Sequence, residues 1–353
     1  MADFATVLPM SPTTMLPITT ERLIIRMMRE QDVGRFVEYR NDPAIGRFQA
    51  WDLPYSEASA QRVVDDQAEV DGPTDGRWVQ LAVEFTATGE LLGDVAVQLR
   101  EGGVHATLGY SFAAEHQGKG YATEAACAVV DALCAAGVHR FVATLDPENV
   151  PSMRVLEALG FTFESLARNA ALIRGEWLDD LCYSLLAQDR VAWKERPRWQ
   201  AAEIELVEIT PDDAYLWGRL RTHHSQERFV SPMAVSFRDA LFPQMHNGGF
   251  MVPWMRGILA DGERVGFLML GMVTEHHPEP YMWRLLIDRT QQRRGLGTQV
   301  LQLLVAQVRE WGHPTVTTSW SQGPGCPEPF YLSHGFIPTG EMDDDEIIGR
   351  LIL

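Results

Sequence analysis

Cysteine is scarce in this chain, basic residues are outnumbered, and no long apolar run occurs. The four cysteines, Cys127, Cys134, Cys182 and Cys326, form no CxxC pair and no metal-ligand spacing with histidine. No metal site is expected from them, and they read as reduced packing residues. Lys and Arg number 30 against 48 Asp and Glu, a formal charge of -18. That balance argues against a nucleic-acid partner, whose phosphates need a basic face, and mildly favours cationic ligands, although acidity also serves solubility. Nowhere is there the run of about 18 apolar residues that a membrane-spanning helix needs. The opening segment MADFATVLPMSPTTMLP has no basic region, so no secretory signal or membrane partner is expected. A soluble, cytoplasmic protein follows, either monomer or homodimer.

What is present is enough for two cores: 353 residues, 46% of them hydrophobic. After a loose Pro/Thr-rich leader over residues 1–17, ERLIIRMM reads as a strand and REQDVGRFVEYRND as a helix. A second helical stretch lies within Trp51 to Val70. WVQLAVEF, the run after Thr-Gly-Glu and the run after Glu-Gly-Gly form an antiparallel meander. Tyr121 to Ala136 is a nearly uncharged helix, HRFVATLD a strand, PSMRVLEALG a helix stopped by Gly160, and LCYSLLA a closing strand. WKERPRWQAA, residues 193–202, is charged, contains Pro197 and lacks a clean period, which makes it the expected linker between domains at 18–192 and 203–353. The second half repeats the order, and its helix Val300 to Trp311 places Leu301, Leu304, Val305 and Val308 on one face.

The repeat is sharpest at two glycine turns. HQGKGYA at His116 to Ala122 and QRRGLG at Gln292 to Gly297 each join a strand to a helix, and each is followed by a Gly-Phe pair 40 residues after its central glycine, Gly120 to Gly160 and Gly295 to Gly335. Such a turn lets backbone approach a ligand and aims unpaired helix amides at an anion such as pyrophosphate. A dinucleotide-binding GxGxxG fits poorly, since its third small position holds Thr123 or Val300, and neither turn ends in the GK[ST] of a P-loop.

On these motifs the chain resembles the GNAT superfamily of acetyl-CoA-dependent N-acetyltransferases, whose signature is a Q/R-x-x-G-x-G/A turn. Residues 18–191 look like the branch acting on ribosomal-protein N-termini and some aminoglycosides, through LGYSFAAEHQGKGYATEA and DPENVPSMRVLEALGF; residues 203–353 look like general amine and polyamine acetyltransferases. The resemblance implies two tandem domains of the α/β (α+β) class, each a mixed, mostly antiparallel sheet flanked by helices. It also implies acetyl-CoA as co-substrate, no metal, and direct attack by a primary amine in a ternary complex. Acetyl-CoA would lie where the strand ending at Phe112 or Ile287 splays from its neighbour.

By the same resemblance Gln117, Gly118, Lys119, Gly120, Tyr121 and Ala122, and likewise Gln292, Arg293, Arg294, Gly295, Leu296 and Gly297, would cradle the cofactor's phosphates, with charge from Lys119, Arg293 and Arg294. Tyr331, four residues before Gly335, would protonate the leaving thiolate in the second domain. Leu156 holds that place in the first, where N-x-x-S assigns Asn149 to CoA and Ser152 to proton donation; Pro324 replaces the asparagine in the second. From the residues alone Tyr331 is equally a packed helix aromatic, and Ser152 a helix cap. The branch's general-base glutamate falls at Ala171, leaving Asp179, Asp180 or Glu84 as replacements, and Glu275, His276 and His277 as groups for the second domain. The acceptor is expected to be a small cationic amine of polyamine or aminoglycoside type. Alternatives are one catalytic domain beside a non-catalytic one, a peptide N-terminal acetyltransferase, and an acyl-CoA sensor without turnover.

Overall fold

The computed structural model describes residues 15–353 apart from Gln244 and Asn247. Residues 1–14 of the expected leader lie outside the described residues, while Met15 and Leu16 pack on the first core. Two compact units meet in sequence between Lys194 and Glu195.

Unit 1 opens with strands β1 (Ile18–Thr19) and β2 (Leu23–Met27), helices α1 (Val33–Arg40), α2 (Pro43–Gly46) and α3 (Glu57–Asp66), and the meander β3 (Trp78–Phe85), β4 (Leu91–Arg100) and β5 (His105–Phe112). It continues with α4 (Tyr121–Ala135), β6 (Arg140–Leu145), α5 (Val150–Leu159), the hairpin β7 (Thr162–Ile173) and β8 (Glu176–Leu186), and α6 (Ala187–Glu195). The sheet order is β1-β2-β3-β4-β5-β6-β8-β7. Among the described strands of this sheet the neighbours are antiparallel except β5 and β6, which are joined through α4 and run parallel.

Unit 2 contains β9 (Ile204–Val207), α7 (Ala214–Trp217), α8 (Met233–Leu241), the short pair β10 (Met245–His246) and β11 (Gly249–Phe250), and β12 (Val252–Ala260), β13 (Glu263–Met272) and β14 (Tyr281–Ile287). After α9 (Leu296–Glu310) come β15 (Thr315–Ser321), α10 (Glu328–Ser333), β16 (Ile337–Asp343) and β17 (Glu346–Ile352). Its main sheet reads β9-β12-β13-β14-β15-β17-β16, the order of unit 1 from β2 to β7, again with one parallel pair, β14 and β15.

Both sheets are covered on two faces. In unit 1, Val95, Val97, Leu108, Leu181 and Tyr183 meet Ala126, Val130 and Leu133 of α4 and Met153 and Leu156 of α5. Met28, Ala82 and Leu91 pack instead with Phe36 and Tyr39 of α1 and Ala60 of α3. Successive side chains of a strand point to opposite faces, so these two clusters define the α4 face and the α1 face. Unit 2 follows suit: Leu268, Leu270 and Met282 meet α9, whose buried face is Leu296, Val300, Leu301, Leu304 and Val308 with Val305 at its margin, while Phe267, Met269 and Leu286 meet Trp217 and Met233.

The helix within residues 51–70 is α3, which begins after Ser56, whose side chain accepts from the Ser59 amide as its N-cap. Two local expectations change. The segment before the closing strand forms a second long strand, β7, exposed along most of its length. The stretch expected as linker from Trp193 begins inside α6: Trp193 is buried, donates from its indole to the Ala158 carbonyl (2.9 Å), and lies where a Cβ on Gly160 would stand only 2.6 Å from the ring. At its other end Ala201 is buried, and Asp261 accepts from the amides of Ala202 and Glu203, 3.0 Å each.

Candidate functional site

The parallel strands part soon after they meet. β5 and β6 pair from His105↔Arg140 to Thr107↔Val142, and β14 and β15 only at Tyr281↔Thr317 and Met282↔Thr318, although β5 runs on to Phe112 and β14 to Ile287. Beyond those points the facing strand edges carry backbone donors and acceptors with no ladder partner, an amide-lined cleft suited to a polar, extended ligand. In unit 2 a bulge aids the parting: Met269 pairs with Arg284 and Leu270 with Met282, leaving Trp283 unpaired.

Each cleft ends at its glycine turn in the same way. Gln117 donates through Nε2 to the Phe112 carbonyl at 2.9 Å, and Gln292 donates to that of Ile287 at 3.1 Å, clipping the strand end to the turn. Gly120 and Gly295 enter α4 and α9 with left-handed φ of 81° and 74°. Among the described residues the backbone amides of residues 118–123 donate to no backbone carbonyl, as a helix N-terminus dictates. They face outward beside a positive dipole end, the arrangement that binds phosphate oxygens.

The cationic side chains differ. Lys119 and Arg293 are exposed, but Arg294 is buried. Its Nε donates to the Trp199 carbonyl at 3.0 Å, and its guanidinium also meets Gln291 and, at 3.6 Å, Asp261. The expectation that Arg294 offers its charge to a ligand is therefore corrected: its backbone belongs to the turn, while its side chain anchors the segment before β9. Sequence reasoning missed Arg22, which donates to the Lys119 carbonyl at 3.1 Å, pairs with Glu124 at 2.6 Å and lies 4.5 Å over the Tyr121 ring. Burial opposes ionisation of Glu124, but hydrogen bonds from Thr20 and Arg22 outweigh it and hold its pKa below the ordinary value.

Next to the unit 1 cleft, Asn149 caps α5 by accepting the Ser152 amide at 3.2 Å, so the cap is Asn149, with its side-chain NH2 left to donate elsewhere. Ser152 Oγ lies 2.9 Å from the hydroxyl of Tyr110, a residue of β5 beyond its last pairing with β6. The same hydroxyl donates to the Ser152 carbonyl at 2.9 Å. Burial pushes the Tyr110 pKa well above its ordinary value, partly offset by the Ser152 contact. In unit 2, Tyr331 of α10 is buried, stacked on Trp320 with centroids 5.4 Å apart, and lies beside Thr318. Thr318 in turn donates to the Met282 carbonyl at 2.9 Å, at the last β14–β15 pair. Burial pushes the Tyr331 phenol to about 12, with the Thr318 contact acting the other way.

The acids sort themselves by their partners. Glu84 accepts from Arg26 at 2.7 Å, in a buried network that includes Asp32, and Asp179 accepts the Asn169 amide at 2.8 Å within the β7 bulge. Asp180 has no hydrogen-bond or ion-pair partner among the described residues, and burial, then the neighbouring Asp146, raises its pKa. It precedes Leu181, the last residue of β8 to pair with β6, opposite Leu145. Glu346 stands at the matching place: it precedes Ile347, which pairs with Trp320, and it accepts from Ser319, itself 2.7 Å from Tyr281. Because Leu181 and Ile347 face α4 and α9, strand alternation turns Asp180 and Glu346 to the opposite faces. Of the unit 2 histidines, His276 covers Gly249 and His277 is buried with Nε2 3.4 Å from the Gly249 carbonyl, which places both against the β10–β11 pair. Glu275 is exposed.

Glu90, Glu115 and His116 bring potential metal ligands within 4.8 Å of one another at the surface, but Arg35 already pairs with both glutamates.

Two family models match the chain, an acetyltransferase (GNAT) domain over residues 22–162 and the acetyltransferase (GNAT) family over residues 217–336. The chain therefore belongs to the GNAT acetyltransferases, with one such domain in each half, and is an acyltransferase. Similar proteins include the uncharacterized N-acetyltransferase p20 of Bacillus licheniformis, 28% identical over 48% of this chain and 96% of its own length. The [ribosomal protein uS5]-alanine N-acetyltransferase of Escherichia coli is 27% identical over 49% of this chain and 91% of its own. Among solved structures, a GNAT-family acetyltransferase from Bacillus anthracis is 26% identical over 48% of this chain and 98% of that one, with a TM-score of 0.44. The spermidine N-acetyltransferase of Vibrio cholerae, solved with CoA and spermine, is 20% identical over 49% and 99%, with a TM-score of 0.43. Among the described residues no helix is long and apolar enough to cross a membrane.

Proposed function

We propose that the protein is a cytoplasmic acetyl-CoA-dependent N-acetyltransferase that acylates a small cationic primary amine of polyamine or aminoglycoside type. The observation that carries the reading is the pairing, in each unit, of a hydroxyl on the α4 or α9 face of the splayed strands with a carboxylate turned to the opposite face. Acetyl transfer to an amine needs both: a group that removes the ammonium proton and a group that returns a proton to the thiolate. Gly118 to Ala122 and Arg293 to Gly297 would hold the cofactor's phosphates through backbone amides, with Lys119 and Arg293 adding charge and Asn149 donating from its amide. The cleft edges would take the amide-bearing arm. Ser152 and Tyr331 would stand at the thiolate, and Asp180 and Glu346 at the incoming amine.

A small acceptor is favoured by how unit 1 is closed near Asp180. Arg174, at the β7–β8 tip, donates to the carbonyls of Gly46 (2.9 Å) and Arg47 (3.0 Å), and Arg47 pairs with Glu148. These ties bridge the loop after α2 to the hairpin and to the segment before α5, leaving less room for a folded protein's N-terminus than for a flexible amine.

Thiol release from acetyl-CoA, followed against polyamines, aminoglycosides and peptide N-termini, tests this reading. Amine-dependent release with the polycations, reduced roughly 100-fold by Tyr331→Phe or Ser152→Ala, is expected, and the sensitive variant names the working unit. Binding of acetyl-CoA without amine-dependent release would overturn the reading in favour of a sensor.

A further inference from the structure

The two units carry one tyrosine and one leucine at equivalent strand and helix positions, with the positions exchanged. In unit 1 the strand residue is Tyr110 and the helix residue Leu156; in unit 2, at the offset of 175 that relates Gly120 to Gly295, the strand residue is Leu285 and the helix residue Tyr331. Leu156 lies in the first core with Tyr110 packed against that cluster, and Tyr331 lies in the second core with Leu285 packed against it. Each cleft thus has one phenol and one leucine at this level. Tyr331 reaches the last β14–β15 pair through Thr318, and Tyr110 sits three residues past the last β5–β6 pair, Thr107↔Val142.

We infer that Tyr110 is the proton donor to the leaving thiolate in unit 1, the phenol having moved from the helix wall to the strand wall, with Ser152 as its hydrogen-bonded partner. This rests on the acetyltransferase reading above. In the step assigned to it, the amine nitrogen forms the new C–N bond and loses its proton toward Asp180. The C–S bond breaks, the sulfur takes the Tyr110 hydroxyl proton, the phenolate regains one from solvent by way of Ser152 Oγ, and Asp180 releases the amine's proton to solvent. The products are amide and free thiol, with no net change in protons on the protein.

The test uses the full chain carrying Tyr331→Phe, so that unit 2 is constant throughout, and compares Tyr110→Phe, Tyr110→Leu and the exchange Tyr110→Leu with Leu156→Tyr. Tyr110→Phe should lower kcat roughly 100-fold with the acetyl-CoA KM unchanged, and the exchange should recover at least about tenfold of the loss in Tyr110→Leu. A Tyr110→Phe protein that melts as its parent and keeps its kcat overturns the inference. So does an exchange variant no better than Tyr110→Leu once both are shown to be folded. If the unsubstituted protein releases no thiol with any amine, the acetyltransferase reading is what fails; if only the Tyr331→Phe parent is silent, unit 2 carries the turnover. Tyr110 is then judged by CoA against desulfo-CoA binding: loss of the preference for the thiol in Tyr110→Phe sustains its placement at the sulfur, and an unchanged preference overturns it.

Discussion

Arg293 occupies with φ of 66° the place that Gly118 fills with φ of 72°. A non-glycine residue in the left-handed region carries strain on the order of 1 kcal/mol, and an exposed arginine at the mouth of the proposed phosphate site would be a reason for retaining it. Arg293→Gly is expected to leave stability equal or raised by up to about 1 kcal/mol in denaturant melts, while weakening CoA binding more at low salt than at high. The residue types of both turns were legible in the sequence because glycine spacing is a backbone requirement. What individual cations do there was not: Arg294 reads as a second phosphate ligand until its contacts with Trp199 and Asp261 are seen, and Arg22 acts across 97 residues of chain, a separation no local pattern reveals.

At the scale of elements, the missed strand β7 explains why the acids could not be sorted beforehand. The offset between the units is 175 through the α4 and α9 helices but 166 between Asp180 and Glu346, because the hairpin of β7 and β8 is longer than that of β16 and β17. Only strand register shows the two carboxylates to be equivalents. The raised pKa of Asp180 gives a signed prediction. It is protonated below its folded value, so amine-dependent turnover by unit 1 should rise as pH increases through a point above the ordinary aspartate range. Asp180→Asn should remove that limb and lower kcat/KM at neutral pH roughly 100-fold. Ionising a carboxyl whose pKa is raised by folding destabilises the folded state at pH above the unfolded value, so the same variant should melt no lower, and at neutral pH higher, than its parent.

For the whole molecule, two similar sheets with separate cores provide two complete sets of turn, cleft, hydroxyl and carboxylate. The architecture was readable from the repeat, since a strand–turn–helix unit needs its meander and its covering helices to bury both faces. The units divide between Lys194 and Glu195; what charge and proline did not show is that Trp193, at the start of the expected linker, is a buried indole of unit 1. Trp193→Ala should destabilise unit 1 by about 3–5 kcal/mol and lower its calorimetric transition, while thiol release assigned to Tyr331 persists at temperatures below that transition.

The same tryptophan bears on how the protein can be divided. The GNAT domain match in the first half ends at residue 162, yet the slot beside Gly160 is filled by a ring 33 positions further along the chain. A fragment trimmed to the match would lose that ring together with β8 and its core residues Leu181, Tyr183 and Leu185, and by the apolar surface so bared adhere to its own copies; one extended through Lys194 would keep both and stay dispersed.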